Sequence, residues 1–434
     1  MDKNSNRPAQ HEQTRSSGAT LPSLAGAAWL EAPACQAVFD AISAGGFEAR
    51  VVGGATRNAL MGEAIKDIDI ATTAHPRDVV RLARAAGLGA FETGEAHGTI
   101  TVVSDHKPFE VTTLRRDVET FGRRAVVQFT TDWAEDAARR DFTINALYCD
   151  RHGTVFDPVG GYPDIVARRV RFIGNPAERI REDYLRILRF FRFHATYGSG
   201  ECDREGLEAA IATRNGLSTL SGERIRAEML RLLVAPGALP AIDTMVRWGI
   251  AQVILGRPGN IHMLSQVMAI EQALQRSPDA ILRLAALSCS GPEDADALAS
   301  RWKLSNAERT QLATAVLDDP GLDPDADGAR AKAVRFQLPL DSYERAYIMA
   351  WARSGASSTD DAWASRFKSM TSWRVPAVPF KGADVVALGV EPGPNVGIAL
   401  RQFRDWWIRA GFPDDEALLR EKLRTFAQPF IDRA

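Results

Sequence analysis

The sequence predicts an α+β fold, in which a small mixed sheet with helices is followed by an all-α region. Two observations carry this prediction. Between Phe47 and about Asp150, helical stretches alternate with the short β-rich runs EARVVGG, DIDIAT, GTITVV, FEVTTLR and NALYCD. From Ala177 onward nearly every segment has helical spacing, as in ERIREDYLRILRFFRF, which predicts one continuous helix there.

The composition is that of an ordinary globular protein. The chain has 434 residues, 45% of them hydrophobic and 25% charged, and a net charge of -2. No run approaches the eighteen or so apolar residues of a membrane span, and residues 1–24 are predicted to be a flexible tail. Four scattered cysteines without a CxxC motif, and histidines without HxxxH, predict neither a disulfide framework nor a zinc site. These observations favour a cytoplasmic protein with no membrane contact and no evident protein partner.

The first element of interest is RVVGGATRNALMG, an apolar strand that runs into Gly53-Gly54 and then into a helix carrying Arg57. Glycines let the backbone approach a ligand closely, and free N–H groups at a helix N-terminus favour an anion. Arg57 would add a bidentate positive contact, which suits a triphosphate. A Gly pair alone is more often a tight turn with no ligand, so the next element decides between the two interpretations.

The next element, DIDIAT, carries two acids inside an apolar run. On an extended chain Asp67 and Asp69 point to the same face, where they repel each other. Their neighbours Ile65, Ile68 and Ile70 favour burial, which predicts a strand containing both acids. Mg²⁺ prefers carboxylates together with substrate phosphates, so a metal site at this pair would relieve the repulsion. The alternative is a pair of ordinary surface residues at a strand edge.

A third acid comes from FEVTTLR, where Glu110 sits in another short strand. If that strand neighbours DIDIAT, three carboxylates would complete a two-metal site for phosphoryl transfer. The sequence therefore predicts Asp67, Asp69 and Glu110 as catalytic residues, with the two aspartates as metal ligands.

Taken in order, seven motifs resemble the class II tRNA nucleotidyltransferases, or CCA-adding enzymes, with the bacterial poly(A) polymerases as close relatives. The motifs are GGATR, DIDIAT, TGEAHGTI, FEVTTLR, ARRDFTINAL, DPVGG and REDYLRILRFFRF. The resemblance is strong over about residues 45–240 and looser beyond. It implies a catalytic head at 25–150, a helical neck with base recognition at 151–240, and a tRNA-binding body and tail at 241–434.

The resemblance also implies an activity: template-independent addition of C, C and A to the 3′ end of tRNA from CTP and ATP, with release of pyrophosphate and with two Mg²⁺ ions. The expected partners are tRNA, through its 3′ end and backbone, and nucleoside triphosphates. A poly(A) polymerase, or an enzyme adding only CC or only A, remains an alternative, although the C-terminal DDEALLREKLRTFAQPFIDRA lacks a long basic extension for gripping arbitrary RNA. A catalytically inactive RNA-binding module is the alternative of another class.

In the family, the motif matched by ARRDFTINAL contacts the nucleotide. It offers Arg140, Asp141 and Asn145, and Asp141 can accept a hydrogen bond from a ribose 2′-hydroxyl. The alternative is a plain Arg-Asp pair at the start of a helix.

The run REDYLRILRFFRF places Asp183, Arg186, Arg189 and Arg192 at intervals of three on the predicted helix. Arg186 only donates and Asp183 only accepts, so together they match a base edge with a ring-nitrogen acceptor beside an amino donor. Cytosine and adenine both show that edge, whereas uracil and guanine do not. We expect this pair to read the base, and Gly54, Arg57, Arg140, Arg189 and Arg192 to bind the triphosphate and sugar; ordinary i,i+3 ion pairs are the alternative.

Residues 115–128, RRDVETFGRRAVVQ, resemble a flexible loop that the family uses in moving between C and A addition. TFGRR stands here where the family usually has a tyrosine, so the contribution of this loop to ATP incorporation is left open.

Overall fold

The computed structural model describes residues 21–94, 98–121 and 124–431. The chain divides into two units, Met1–Leu217 and Ser218–Ala434. This boundary falls inside the predicted neck, and the four-part division stays a prediction. Most of the predicted tail lies outside the described residues, and no described helix is long and apolar enough to cross a membrane.

The first unit contains the predicted mixed sheet. Its strands are β1 (Ala49–Val52), β2 (Asp69–Thr72), β3 (Gly89–Gly94), β4 (Thr99–Ser104), β5 (Lys107–Thr113), β8 (Tyr148–Cys149) and β9 (Val155–Phe156); β6 (Arg115–Phe121) and β7 (Arg124–Phe129) form a separate pair. The order in the large sheet is β3-β4-β5-β2-β1-β8-β9. Only β2 and β5 pair in parallel among these strands, so the prediction of an α+β fold with a mixed sheet is confirmed.

Helices cover the sheet and continue beyond it. They are α1 (Ala28–Glu31), α2 (Pro33–Ser43), α3 (Gly54–Met61), α4 (Pro76–Ala85), α5 (Trp133–Ala138), α6 (Tyr162–Val166), α7 (Pro176–Glu182), α8 (Leu185–Tyr197) and α9 (Arg204–Thr213). In α4, Val79, Leu82 and Ala83 recur at three- and four-residue spacing and are buried, whereas Arg81 is exposed. Burial of such apolar faces against the sheet forms the core of this unit.

The prediction that Asp67 and Asp69 share a strand is wrong for Asp67. The ladder between β1 and β2 ends at the pair Val52↔Asp69, because β1 turns into α3 at Gly53. Asp67 therefore precedes the strand and is exposed, and Ile65 and Ile68 are only partly buried.

The prediction of one continuous helix through REDYLRILRFFRF is also wrong. The α7 helix ends at Glu182, Asp183 is extended with φ -155°, and α8 begins at Leu185. The Asp183 carboxylate accepts a hydrogen bond from the Leu185 N–H at 3.1 Å. Aspartate competes in this way with helix continuation, which explains the break. Arg186, Arg189 and Arg192 lie on α8 as expected, but Asp183 precedes it.

The segment resembling the family's flexible loop, 115–128, forms β6 and most of β7, paired antiparallel from Arg115↔Phe129 to Phe121↔Arg124, and its role in nucleotide addition stays a prediction. The β-branched and aromatic residues of AVVQF favour a strand. Gly122 and Arg123 lie outside the described residues, as do residues 95–97 of the motif TGEAHGTI.

In its described residues the second unit contains helices and no strand, as predicted. Its helices are α10 (Gly222–Leu233), α11 (Ala238–Arg247), α12 (Ile250–Leu255), α13 (Ile261–Ala273), α14 (Ala280–Ser288), α15 (Pro292–Arg301), α16 (Asn306–Ala315), α17 (Gly328–Gln337), α18 (Leu340–Ser354), α19 (Asp361–Ser372), α20 (Gly382–Val386), α21 (Pro394–Arg409) and α22 (Glu416–Ile431). Fully buried aromatic side chains, among them Trp302, Tyr343 and Trp351, form its core, and Phe403 and Trp407 centre a second cluster near the C-terminus.

Candidate active site

A cavity of about 500 Å³ in the first unit gathers most of the residues predicted from the sequence. Its lining comprises all ten predicted nucleotide-binding residues together with Asp69 and three residues that the sequence did not single out: Gly53, Gly54, Arg57, Asp69, Arg139, Arg140, Asp141, Asn145, Asp183, Arg186, Arg189, Arg192, Phe193 and Tyr197. Asp67 and Glu110 do not line it. The structure thus brings the predicted set together, whereas the role of each residue stays a prediction.

The glycine turn forms one wall of the cavity. Gly53 has φ 70° and precedes the first residue of α3, so the chain passes from strand to helix through a backbone conformation that L side chains rarely adopt. A Cβ at this position would lie 3.8 Å from the Arg140 guanidinium, which shows how closely the turn approaches the cationic side of the cavity. The turn leaves N–H groups at the start of α3 for an anionic ligand.

Arg57 is only 5% exposed and is held by protein partners on three sides. Its Nη1 donates to Asn145 Oδ1 at 2.5 Å, and its Nη2 donates to Tyr197 Oη at 2.6 Å. Nε and Nη2 both donate to Asn58 Oδ1, at 3.1 and 2.9 Å. Four of the five N–H groups are therefore engaged, so the bidentate phosphate contact expected from the sequence would require Arg57 to release a protein partner. Burial lowers the pKa of Arg57, against the opposing effect of Tyr197 and then Asp141.

A carboxylate that the sequence analysis missed, Asp136 on α5, organises the neighbouring arginines. It is 1% exposed and accepts hydrogen bonds from Arg139 Nε at 2.8 Å, Arg140 Nη2 at 2.9 Å and the Tyr148 hydroxyl at 2.8 Å. Burial alone would raise the pKa of Asp136, but Arg140 and Arg139 hold it below its ordinary value. Arg140 is thus paired with Asp136 and fixed at the cavity wall. The spacing of Asp136 three and four residues before two arginines was a usable signal.

Asp141 is paired with Arg189 of α8. Its Oδ2 accepts from Arg189 Nε at 2.8 Å and Nη2 at 2.5 Å, and its Oδ1 accepts from Asn145 Nδ2 at 3.0 Å and the Phe142 N–H at 2.9 Å. Burial would raise the pKa of Asp141, and Arg189 with these hydrogen bonds lowers it below the ordinary value. The four acceptor positions of the carboxylate are occupied, so a ribose contact would have to replace one of these donors.

Arg186 is oriented by the end of α7. Its Nη1 donates to the Arg179 carbonyl at 2.6 Å and also to the Glu182 carboxylate. Arg179 is bound to the same Glu182 side chain at 2.5 Å. Glu182, which the sequence analysis did not assign, therefore fixes Arg186 at the cavity next to Asp183.

The strand neighbourhood inferred for Glu110 is confirmed, because β2 and β5 pair in parallel with Asp69 directly opposite Glu110. Residues opposite each other on paired strands project to the same face of the sheet. Burial first, then Glu110 and Asp67, raise the pKa of Asp69 to about 6, and Arg140 opposes this rise. Among the residues described, no three His, Cys, Asp or Glu side chains converge in an arrangement that could hold a metal ion, so the structure does not assemble the three acids as ligands.

Comparison with families of known proteins matches two stretches of the chain. Residues 49–171 match the Poly A polymerase head domain, and residues 203–259 match the family described as the probable RNA and SrmB-binding site of polymerase A.

Similar proteins extend the comparison over most of the chain. The chain is 36% identical over 368 residues to CCA tRNA nucleotidyltransferase 1, mitochondrial, of Mus musculus, a match that covers 84% of each protein. It is also 36% identical over 265 residues to the CCA-adding enzyme of Bacillus velezensis, covering 60% of this chain and 65% of that one. The solved CCA-adding enzyme of Bacillus stearothermophilus in complex with CTP superposes with a TM-score of 0.69 at 27% identity, covering 92% of this chain and 99% of that one.

Proposed function

The chain belongs to the family of CCA-adding enzymes, the CCA tRNA nucleotidyltransferases, and on that premise we propose that it adds C, C and A to the 3′ end of tRNA from CTP and ATP. The reaction releases pyrophosphate at each step and uses no nucleic-acid template. The observation that carries the proposal is the single cavity lined by the ten nucleotide-binding candidates and by Asp69. A catalytic acid and an arginine-rich pocket that share one wall are what nucleotidyl transfer requires.

The triphosphate is placed between the glycine turn and the arginines of α8. N–H groups at the start of α3 and the guanidinium groups of Arg140, Arg189 and Arg192 supply the positive charge. Arg140 is fixed by Asp136 and Arg189 by Asp141, so their positions are set before the ligand binds. Such preorganisation spares the cost of ordering long side chains around the phosphates.

The base is read by Asp183 and Arg186 at the junction of α7 and α8. Arg186 donates to a ring nitrogen and Asp183 accepts from an amino group, the pattern shared by cytosine and adenine. Uracil and guanine place like groups against both side chains, and each buried mismatch costs about 1 to 3 kcal/mol. One protein site therefore selects CTP and ATP.

Asp67 and Asp69 are proposed to hold Mg²⁺, and Glu110 to orient the attacking 3′-hydroxyl of the tRNA. Burial first, and then the nearby Glu110 and Asp67, raise the pKa of Asp69, and a bound cation would offset both effects by stabilising the ionised carboxylate. When bound, the ions would supply positive charge to the reacting phosphate and to the departing pyrophosphate. Asp67 is exposed and close enough to Asp69 to raise its pKa, so one ion would be able to contact both carboxylates.

Residues 241–434 are proposed to bind the tRNA backbone, together with residues 203–240 at the end of the neck. The stretch that matches an RNA-binding family, residues 203–259, includes this end of the neck.

A cytoplasmic location is also proposed. The proposal rests on the four cysteines being scattered in the sequence without a CxxC motif, a pattern that fits a reducing compartment. Cell fractionation tests the location, and recovery of the protein in an organelle would overturn it. The test is informative because the similar mouse protein is described as mitochondrial.

The experiment that tests the function uses purified protein, tRNA lacking its three terminal nucleotides, and each labelled nucleotide in turn. We expect CTP alone to extend the tRNA by two residues, CTP with ATP by three, and UTP or GTP by none. Long products with ATP alone would instead favour a poly(A) polymerase, and growth that stops at CC or requires a pre-existing CC would favour a partial enzyme. No extension with any nucleotide would favour the inactive RNA-binding module.

A further inference from the structure

We propose that Tyr197 is a further ligand of the nucleotide, whose phenolic O–H donates a hydrogen bond to a triphosphate oxygen and so presents the charge of the buried Arg57 to the cavity. The inference rests on the proposed function, since it requires a nucleotide in this cavity. Tyr197 was not a candidate in the sequence, and the described contacts single it out.

Tyr197 lies where α8 ends, on the face that lines the cavity. Arg189, Phe193 and Tyr197 follow each other at intervals of four, which puts all three on one side of the helix, and all three line the cavity. The Tyr197 ring also lies against Arg57, with the guanidinium carbon 3.9 Å from the ring centroid. A cation at that distance is attracted to the ring face, which fixes the ring of this cavity-lining residue.

The hydroxyl is left with an uncommitted proton. Tyr197 Oη accepts from Arg57 Nη2 at 2.6 Å, so its own O–H points away from Arg57. Within the described ranges 21–94, 98–121 and 124–431, that O–H has no protein acceptor. A cavity-lining donor without a protein acceptor is available to a ligand.

Arg57 explains why the acceptor should be anionic. Its guanidinium is nearly buried and has four of its five N–H groups engaged, so most of its charge cannot reach a ligand by direct contact. A hydroxyl that accepts from a cation is polarised and becomes a stronger donor. The Arg57-Tyr197 pair therefore favours a phosphate oxygen, whereas a neutral base or sugar group would gain less.

The substitution Tyr197→Phe tests this proposal because it removes the hydroxyl and keeps the ring against Arg57. In the full chain with Mg²⁺ present, we expect the Kd for CTP to rise about 10- to 100-fold, the value of one hydrogen bond to a charged group, and the Kd for cytidine to stay within about twofold. A CTP affinity equal to wild type would overturn the inference. So would an equal loss for CTP and cytidine, which indicates a purely structural effect.

Two controls separate the remaining explanations. A crystal structure of Y197F shows whether Arg57 still contacts Asn145 and Asn58; if Arg57 has moved, the loss belongs to Arg57 and the inference fails. Tyr347→Phe removes a hydroxyl that donates to the Trp363 carbonyl in the second unit, so it should leave CTP affinity unchanged. If the wild-type protein itself binds neither CTP nor ATP, the proposed function fails, and this result differs from every failure of the Tyr197 proposal.

Discussion

Replacing Asp69 with asparagine is expected to stabilise the metal-free protein while abolishing its activity. Burial, Glu110 and Asp67 raise the pKa of Asp69 from 3.8 to about 6. A rise in pKa of this size corresponds to about 3 kcal/mol, and the partial exposure of the Asp69 side chain reduces this to about 2 kcal/mol. The ionised carboxylate of Asp69 therefore lowers the free energy of unfolding, and replacement by asparagine removes this destabilisation.

The sign of the pH dependence follows from the raised pKa. Below about pH 4 the carboxyl is protonated in both the folded and the unfolded chain, so the wild type and D69N should be equally stable. As the pH rises from about 4 to 6, the unfolded chain loses this proton first, and the wild type loses about 2 kcal/mol relative to D69N. Above that window the difference should be constant.

Urea denaturation between about pH 4 and 8 in the presence of a chelator measures this difference. Added Mg²⁺ should stabilise the wild type and not D69N, because only the wild type keeps the carboxylate pair. Asp405→Asn, an exposed substitution in the second unit, is the matched control and should change stability by less than about 0.5 kcal/mol. The reasoning is refuted if metal-free wild type is more stable than D69N at pH 8.

Three further predictions follow from the same site. Asp136→Asn should destabilise the protein by about 3 kcal/mol at pH 7, because it removes the buried partner of two arginines. The difference in stability from the wild type should shrink as the pH falls through the lowered pKa of Asp136, and an unchanged urea midpoint at pH 7 would contradict this. Gly53→Ala and Gly62→Ala both place a side chain at positive φ, 70° and 74°. Gly62 is in the left-handed helical region, so G62A should cost about 1 to 2 kcal/mol, and G53A should cost more because Gly53 has ψ -118°, outside that region. Only G53A should weaken CTP binding, and equal binding losses would show that the cavity is not involved. Exchanging Asp183 for Glu and Arg186 for Gln should relax selection toward UTP and GTP in the extension assay, and unchanged selectivity would remove these residues from base reading.

Much of the site could be predicted because its residues occur in short motifs with a direct chemical meaning. Gly53 was recognised from a strand-to-helix turn, and the structure gives it the positive φ that requires glycine. Arg189 and Arg192 were recognised from their spacing, and they lie on one helix at the cavity. The sequence analysis also expects the strand of Glu110 beside that of Asp69, and the structure confirms that the two strands are neighbours and adds that they pair in parallel.

What the sequence could not predict depends on contacts between distant residues. Asp141 was read beside its neighbour Arg140, yet it pairs with Arg189, which is 48 residues away, while Arg140 turns back to Asp136. Tyr197 contacts Arg57, which is 140 residues away in the sequence, and no local sequence pattern predicts that contact. Local competition also misled the prediction, since Asp183 ends the helix that the apolar spacing would have continued.

The measurement that tests the central claim most directly is a crystal structure of the protein with Mg²⁺ and a non-hydrolysable CTP analogue. Our account predicts the triphosphate between the Gly53-Gly54 turn and the arginines of α8, metal ions at Asp67 and Asp69, and the cytosine edge facing Asp183 and Arg186. A nucleotide bound outside this cavity, or bound within it with no ion at either aspartate, would contradict the account.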